Sequence, residues 1–112
     1  MGKGDFLGEF EQMVLLAVLH QDRTGYGMSI RQEIEARTGR DPSIGSVYAT
    51  LDRLEEKGLV HSHQGASLPE RGGRARRHFA LTPEGAAALR AVRRMMDRMW
   101  AGADMRGAGG EV

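Results

Sequence analysis

Residues 43–58 read SIGSVYATLDRLEEKG, and the spacing of their apolar side chains decides the fold. Ile44, Val47, Leu51 and Leu54 recur at three- and four-residue intervals, the period of one helix face. The opposite face holds Gly45, Ser46, Ala49, Thr50, Arg53 and Lys57. That face is small and hydrogen-bonding at its start and basic further on. Pro42 blocks continuation from the preceding segment, and Gly58 supplies a stop. The spacing therefore predicts a helix over 43–57.

Upstream, Tyr26, Ile30 and Ile34 sit four residues apart and Gly39 follows, which predicts a second helix over 26–37 with a short link at 40–42. A first helix is expected over 9–20. Phe10, Met13, Val14 and the run from Leu16 to Leu19 leave it almost no polar face, so it should be largely buried. Residues 21–25 read as a polar turn in which Gly25 provides the backbone freedom. Downstream, residues 60–64 and 75–81 read as two strands of a hairpin, with Gly65, Pro69, Gly72 and Gly73 in the loop. Phe79 and Leu81 alternate with His78 and Ala80, which turns one face inward. Thr82-Pro83-Glu84 is a helix start, with an N-cap, a first-turn proline and an acid at the positive end. That last helix should reach residue 101, about 30 Å in length. Residues 102–112 lack periodicity and are rich in glycine, as in a flexible tail. The fold class is thus mainly α with a small β-hairpin: a domain over 1–81, a helix over 82–101 and a tail over 102–112.

Composition narrows the function classes. The chain of 112 residues has no cysteine, which removes disulfides, thiolate nucleophiles and cysteine zinc sites and suits a reducing, cytoplasmic setting. The longest apolar run, 13–19, is seven residues, against about 20 for a bilayer span. No membrane partner is expected. Charge is uneven. Residues 1–60 carry seven Lys/Arg against ten Asp/Glu, and residues 61–112 carry nine against five. The basic balance of the second half suits a polyanionic partner. Arginine outnumbers lysine fourteen to two, which suits bidentate phosphate contacts and equally a codon bias.

Two helices joined by a short turn, the second with a small polar outer face, are the parts of a helix-turn-helix reader of double-stranded DNA. A helix entering the major groove, about 12 Å wide, needs a small, donor-rich exposed face. Arg71, Arg74, Arg76 and Arg77 lie within seven residues beside Gly72 and Gly73, as a DNA-binding wing requires. An ordinary solvated helix face and a solvated charge run remain the competing readings of each feature alone. Catalysis finds no support: Glu55-Glu56 and Glu33/Glu35 read as surface charges, and no catalytic residue or cofactor is assigned. His61 and His63 share a strand face but lack a clear third ligand, so no metal site is assigned either.

Further motifs appear in order along the chain. They are Leu7-Gly8-Glu9-Phe10-Glu11, Tyr26-Gly27, Gly45-Ser46-Val47-Tyr48 with Leu51, Arg53-Leu54-Glu55, Gly58-Leu59-Val60, Gly73-Arg74 through Phe79, and Leu81-Thr82-Pro83-Glu84-Gly85. In this combination the chain resembles the PadR family of transcriptional regulators over nearly its whole length. The resemblance implies a winged helix-turn-helix, a homodimer joined through the C-terminal helix, and repression at a pseudo-palindromic DNA site, often relieved by a small molecule. The short segment after Gly85 resembles the compact subfamily with a single C-terminal helix. Two departures stand out: His78-Phe79 where many relatives carry two tyrosines, and Pro69 and Glu70 in the wing loop. The residues expected at DNA are Ser43, Gly45, Ser46, Tyr48, Ala49, Thr50 and Arg53 on the helix, and Arg74, Arg76 and Arg77 on the wing. Tyr48 reads equally as a core-edge tyrosine, and Arg53 equally as a partner of Asp52, Glu55 or Glu56.

On the last helix, Leu89, Val92, Met96 and Met99 follow a three-four spacing with Trp100 alongside, and Arg90, Arg94 and Arg98 form a row opposite. Such a stripe is a dimer seam or core before it is a ligand site. Some PadR-like regulators bind flat aromatic effectors near the dimer centre through a tryptophan. By spacing from Leu81, Met96 stands at that position here and Trp100 one turn later, so a planar aromatic effector is the further partner implied. A winged-helix protein–protein adaptor without DNA binding is the alternative function.

Overall fold

The structure is a computed structural model, and it describes residues 7–67 and 75–109. Four helices and three short strands follow the order α1 (Glu9–Gln21), β1 (Gly25–Tyr26), α2 (Gly27–Thr38), α3 (Ile44–Glu56), β2 (Val60–Ser67), β3 (Ala75–Leu81) and α4 (Pro83–Trp100). The helix anticipated over 43–57 is there: Ser43 is its N-cap, accepting from the Ser46 amide at 3.1 Å, and Lys57 its C-cap. Gly58 follows with φ of 77°, in the left-handed region that favours glycine. Val47, Leu51 and Leu54 are fully buried, and they meet Val14, Leu15 and Val18 of α1, Ile30 and Ile34 of α2, Val60 of β2 and Phe79 of β3 in one core.

The hairpin gains a third strand that the sequence reading does not contain. β1 pairs antiparallel with β3, Gly25 opposite Phe79 and Tyr26 opposite His78, giving the sheet order β1-β3-β2. Residues 21–25 were expected to turn at Gly25. Instead Asp22 and Arg23 take the positive φ values, 44° and 72°, and Gly25 lies in a strand. Space at Gly25 is tight: a Cβ would meet the end of the flexible Gln21 side chain at 2.9 Å and Ile30 Cγ1 at 3.2 Å, so both neighbours would have to give slightly. β2 and β3 pair from Val60↔Leu81 to Gln64↔Arg77 and then slip in register before Ser67↔Ala75. The hairpin tip lies outside the described residues.

α1 departs from the expectation of near-complete burial. Val14, Leu15, Ala17 and Val18 are buried, but Leu16 and Leu19 are about half exposed, at 43% and 51%. They border a groove of about 550 Å³ whose other wall is α4, lined there by Leu89, Val92, Met96 and Trp100. Arg90, expected across the helix from this stripe, also lines the groove. Only the first half of α4 packs on the domain: Gly85 is buried and Ala88, Leu89 and Val92 rest on the core, whereas Met96, Met99 and Trp100 stay exposed. No helix of the described residues is long and apolar enough to cross a membrane.

The junction that aims α4 is built by Thr82 and Gly85. The Thr82 hydroxyl accepts from the Gly85 amide at 3.0 Å and donates to the Gly58 carbonyl at 2.6 Å, while the Thr82 amide donates to Leu59 O at 3.1 Å. A Cβ on Gly85 would overlap the Leu59 carbonyl oxygen, which is backbone and cannot swing away. Gly85→Ala should therefore cost about 2 kcal/mol, roughly a 10 °C fall in Tm. Gly45→Ala, which meets open space within the described structure, should hold or raise stability by up to about 1 kcal/mol. Thermal unfolding of the two variants checks the contrast in sign.

Candidate nucleic-acid interface

α2 and α3 form the helix-turn-helix, and one arginine staples the turn between them. Arg31 Nε donates to the Pro42 carbonyl at 2.8 Å, and its guanidinium also pairs with Asp41 and Glu35. Gly39 ends α2 in the left-handed conformation, its amide reaching Glu35 O at 2.8 Å. The entry to α2 is closed by Ser29, whose hydroxyl accepts from the Tyr26 amide at 2.9 Å and donates to Gln21 Oε1 at 2.6 Å.

With its apolar stripe sealed, α3 presents Gly45, Ser46, Tyr48, Ala49 and Arg53 to solvent, and Ser43 is exposed at its start. From Ser43 through Leu51 this segment carries no formal charge, and its free amides sit at the positive end of the helix dipole. Such a surface accepts anionic oxygen and fits a groove. Thr50 requires a correction: expected on this face, it is 2% exposed. Three residues on from Val47, it sits 300° round the helix, at the edge of the apolar stripe, and Arg53 folds over it with Nη2 donating to Thr50 Oγ1 at 3.2 Å.

Tyr48 is 38% exposed, and its ring lies against Gly27. Any Cβ at position 27 would run into that ring, so a larger residue there would displace Tyr48 from its present place. Tyr48 is thus anchored along one edge while presenting the other to solvent.

Arg53 pairs with none of Asp52, Glu55 and Glu56 on its own helix. Its Nε lies 3.5 Å from Glu11 Oε2, and Lys57 Nζ is 2.9 Å from the same oxygen. Glu11 Oε1 accepts from the Gly8 amide at 3.0 Å, so one carboxylate caps α1 and holds two cations of α3. Burial alone would raise the Glu11 pKa, but the hydrogen bonds from Lys57, Gly8 and Arg53 outweigh it and leave the carboxyl below its ordinary value. The sequence signal was Glu11 three residues after Gly8, a capping spacing whose tertiary partners are 42 and 46 residues away.

The wing strand carries two described arginines on opposite faces. Arg76 lies over the Tyr26 ring, its guanidinium carbon 4.1 Å from the centroid, and among the described residues it has no carboxylate partner. Arg77 pairs with Asp52 at 3.1 Å and Glu55 at 2.6 Å. Arg71 and Arg74, the remaining wing candidates, lie outside the described residues. Beside Arg76, His78 packs edge-on against Tyr26 and stacks on His63 at 5.7 Å. His63 Nε2 and His78 Nδ1 donate to the Arg23 and Thr24 carbonyls at 3.1 and 2.7 Å. Those bonds tie the α1–β1 turn to the sheet.

An apolar-backed, neutral-tipped helix in a helix-turn-helix, flanked by an arginine-bearing hairpin, defines a winged-helix DNA-binding regulator. The comparisons agree. The chain matches the Transcriptional regulator PadR-like family over residues 15–91, and it belongs to that family. It is 39% identical over 94 residues to the transcriptional regulator Rv3488 of Mycobacterium tuberculosis, spanning 81% of this chain and 83% of that protein. The fold superposes on a PadR-like transcriptional regulator from Bacillus cereus with a TM-score of 0.71 at 19% identity, covering 90% and 93% of the two chains. It also superposes on RosR of H. salinarum, with a TM-score of 0.63 at 29% identity, covering 90% and 84%.

The Glu11 pairing gives stability a pH dependence of definite sign. A carboxyl whose folded pKa lies below its unfolded value of about 4.5 adds stability that is full above that value. The contribution is lost as pH falls through the lowered folded value. Glu11→Gln should be less stable than the parent by about 1 kcal/mol at neutral pH. The gap should narrow as pH falls below the ordinary carboxyl range and close once the lowered folded pKa is passed. Urea unfolding at a series of pH values measures it; a gap that persists unchanged into acid would contradict the assignment.

Proposed function

We propose that this chain acts as a cytoplasmic homodimer that represses transcription by binding a pseudo-palindromic operator, and that a planar aromatic molecule releases it. The observation that carries the reading is the uncharged, small-residue tip of α3 beside a hairpin strand bearing Arg76, on a domain whose family is one of transcriptional regulators. Ser43, Gly45, Ser46, Tyr48 and Ala49 enter the major groove, with Arg53 at the groove edge. Arg74 and Arg76 hold phosphate on the wing. Thr50, being buried, supports the helix face from below.

Dimerisation is supported by the second half of α4. Leu16, Leu19, Met96, Met99 and Trp100 are all exposed by two-fifths or more on neighbouring faces of α1 and α4. Apolar surface of that kind on a chain this small is the mark of an association site. A second copy laid antiparallel along α4 would cover the stripe that includes Leu89 and Val92. It would also set the two recognition helices about one DNA turn, or a multiple, apart. The groove between α1 and α4 retains Trp100 and Met96 as its aromatic and adaptable walls, which suits a flat apolar guest at the dimer centre.

A gel shift on the DNA upstream of the chain's own gene tests the reading, since small regulators of this kind commonly act on adjacent genes; no retention of that or any other duplex would sink it. Arg74→Ala with Arg76→Ala should weaken binding to every sequence and reduce the slope of log K against log salt by up to about 1.8, whereas Ser46→Ala should change sequence preference. Met96→Glu with Trp100→Glu should shift the sedimentation coefficient to that of a monomer. In the parent, tryptophan fluorescence should quench on adding planar aromatic compounds.

A further inference from the structure

Arg77 has surroundings unlike those of Arg76. The first half of α3 is uncharged, but its last two turns hold Asp52, Glu55 and Glu56 against a single Arg53. Carboxylates on a recognition helix repel the phosphates on either side of the groove. Two of them, Asp52 and Glu55, are three residues apart and so share a face, and both are taken up by Arg77 of β3.

The site draws on three elements. Glu55 Oε2 accepts from the Ser62 amide at 3.1 Å and from the Ser62 hydroxyl at 2.8 Å, which fixes the carboxylate against β2. Arg77 Nη2 then meets the other Glu55 oxygen, and Nη1 meets Asp52. Phe79, two residues on and on the same face of β3, sets its ring 4.9 Å from the guanidinium carbon. The Ser62 hydroxyl first, and the Arg77 guanidinium after the opposing effect of burial, hold the Glu55 carboxyl below its ordinary range. To reach a phosphate, Arg77 would have to leave two carboxylates and an aromatic face at once.

We propose that Arg77 is a positioning residue for DNA binding: it ties the wing strand to the flank of the recognition helix and offsets half of the negative charge of Asp52 and Glu55, so that helix and wing meet the duplex as one unit. This rests on the DNA-binding reading above and changes the part assigned to one of its arginines. The partners are substantially exposed, and exposed ion pairs add little to stability. The function of the cluster is therefore geometry and charge, and variants should fold.

The experiment compares the full chain with Arg77→Gln and with the triple variant Asp52→Asn, Glu55→Gln, Arg77→Gln, on the retained duplex across a salt series. Arg77→Gln should bind about tenfold more weakly, and the triple variant should return to within about threefold of the parent, because the uncancelled acids are gone. Because salt screens repulsion between the freed carboxylates and phosphate, the Arg77→Gln deficit should shrink as salt rises, and the triple variant should restore the parent's salt slope. A slope reduced by about 0.9 in both variants, with no recovery in the triple, would make Arg77 an ordinary phosphate contact and overturn the proposal. In the free protein, the Glu55 carboxyl followed by NMR should titrate higher in Arg77→Gln than in the parent; an unchanged titration overturns the pairing itself. If the parent binds no duplex, the DNA-binding reading fails and the positioning role fails with it. The titration still reports whether the tie between helix and wing exists.

Discussion

A helix can offer one face to a ligand only when its other face is fixed, and in this protein that fixing is done by Val47, Leu51 and Leu54. Each is fully buried, and between them they touch every other layer: α1, α2 and the inward face of the sheet. At about 1.5–3 kcal/mol for each buried aliphatic side chain, this stripe outweighs any polar contact around it. Its direction determines which residues of α3 remain outside. Because α3 cannot roll without breaking the core, Ser46, Tyr48 and Ala49 have nowhere to point but outward.

The polar contacts add alignment to that burial. Arg31 staples the turn between α2 and α3, Glu11 joins the start of α1 to the end of α3, and Arg77 joins the wing strand to the side of α3. Thr82 and Gly85 do the same for α4 by bringing its first turn onto the Leu59 carbonyl. Each contact crosses an element boundary. Surface pairs contribute little energy singly, but they restrict the angles between bodies whose cores are already packed. A DNA reader needs those angles, since its affinity is spread over contacts from separate elements.

Helix existence was legible in the sequence wherever periodicity and capping agreed. Ser43 and Gly58 bound α3, and Thr82 with Pro83 opens α4, because caps are local chemistry. The miss at Gly25 has a physical cause. A glycine tolerates a left-handed turn, but it also tolerates crowding, and here it lies in a strand with Gln21 and Ile30 close against it. The two-residue strand β1 was invisible because its partners on β3 lie 54 and 52 residues further on, Phe79 for Gly25 and His78 for Tyr26, and no local pattern records the pairing. Exposure of Leu16 and Leu19 was equally hidden: an apolar residue at a helical position does not reveal whether its own domain or another surface covers it.

Residues 43–57 illustrate the division. By itself the sequence determined that this segment is helical, where it starts and stops, and which stripe faces inward, since these follow from period, caps and hydrophobicity. Only the tertiary structure decided what the rest of that helix does. It put Thr50 under Arg53 instead of on the surface, turned Arg53 and Lys57 toward Glu11, and brought Arg77 from the wing onto Asp52 and Glu55. The reason is that a charged side chain takes its role from the partners within reach of it. Those partners come from elements that the fold, not the neighbouring sequence, brings together.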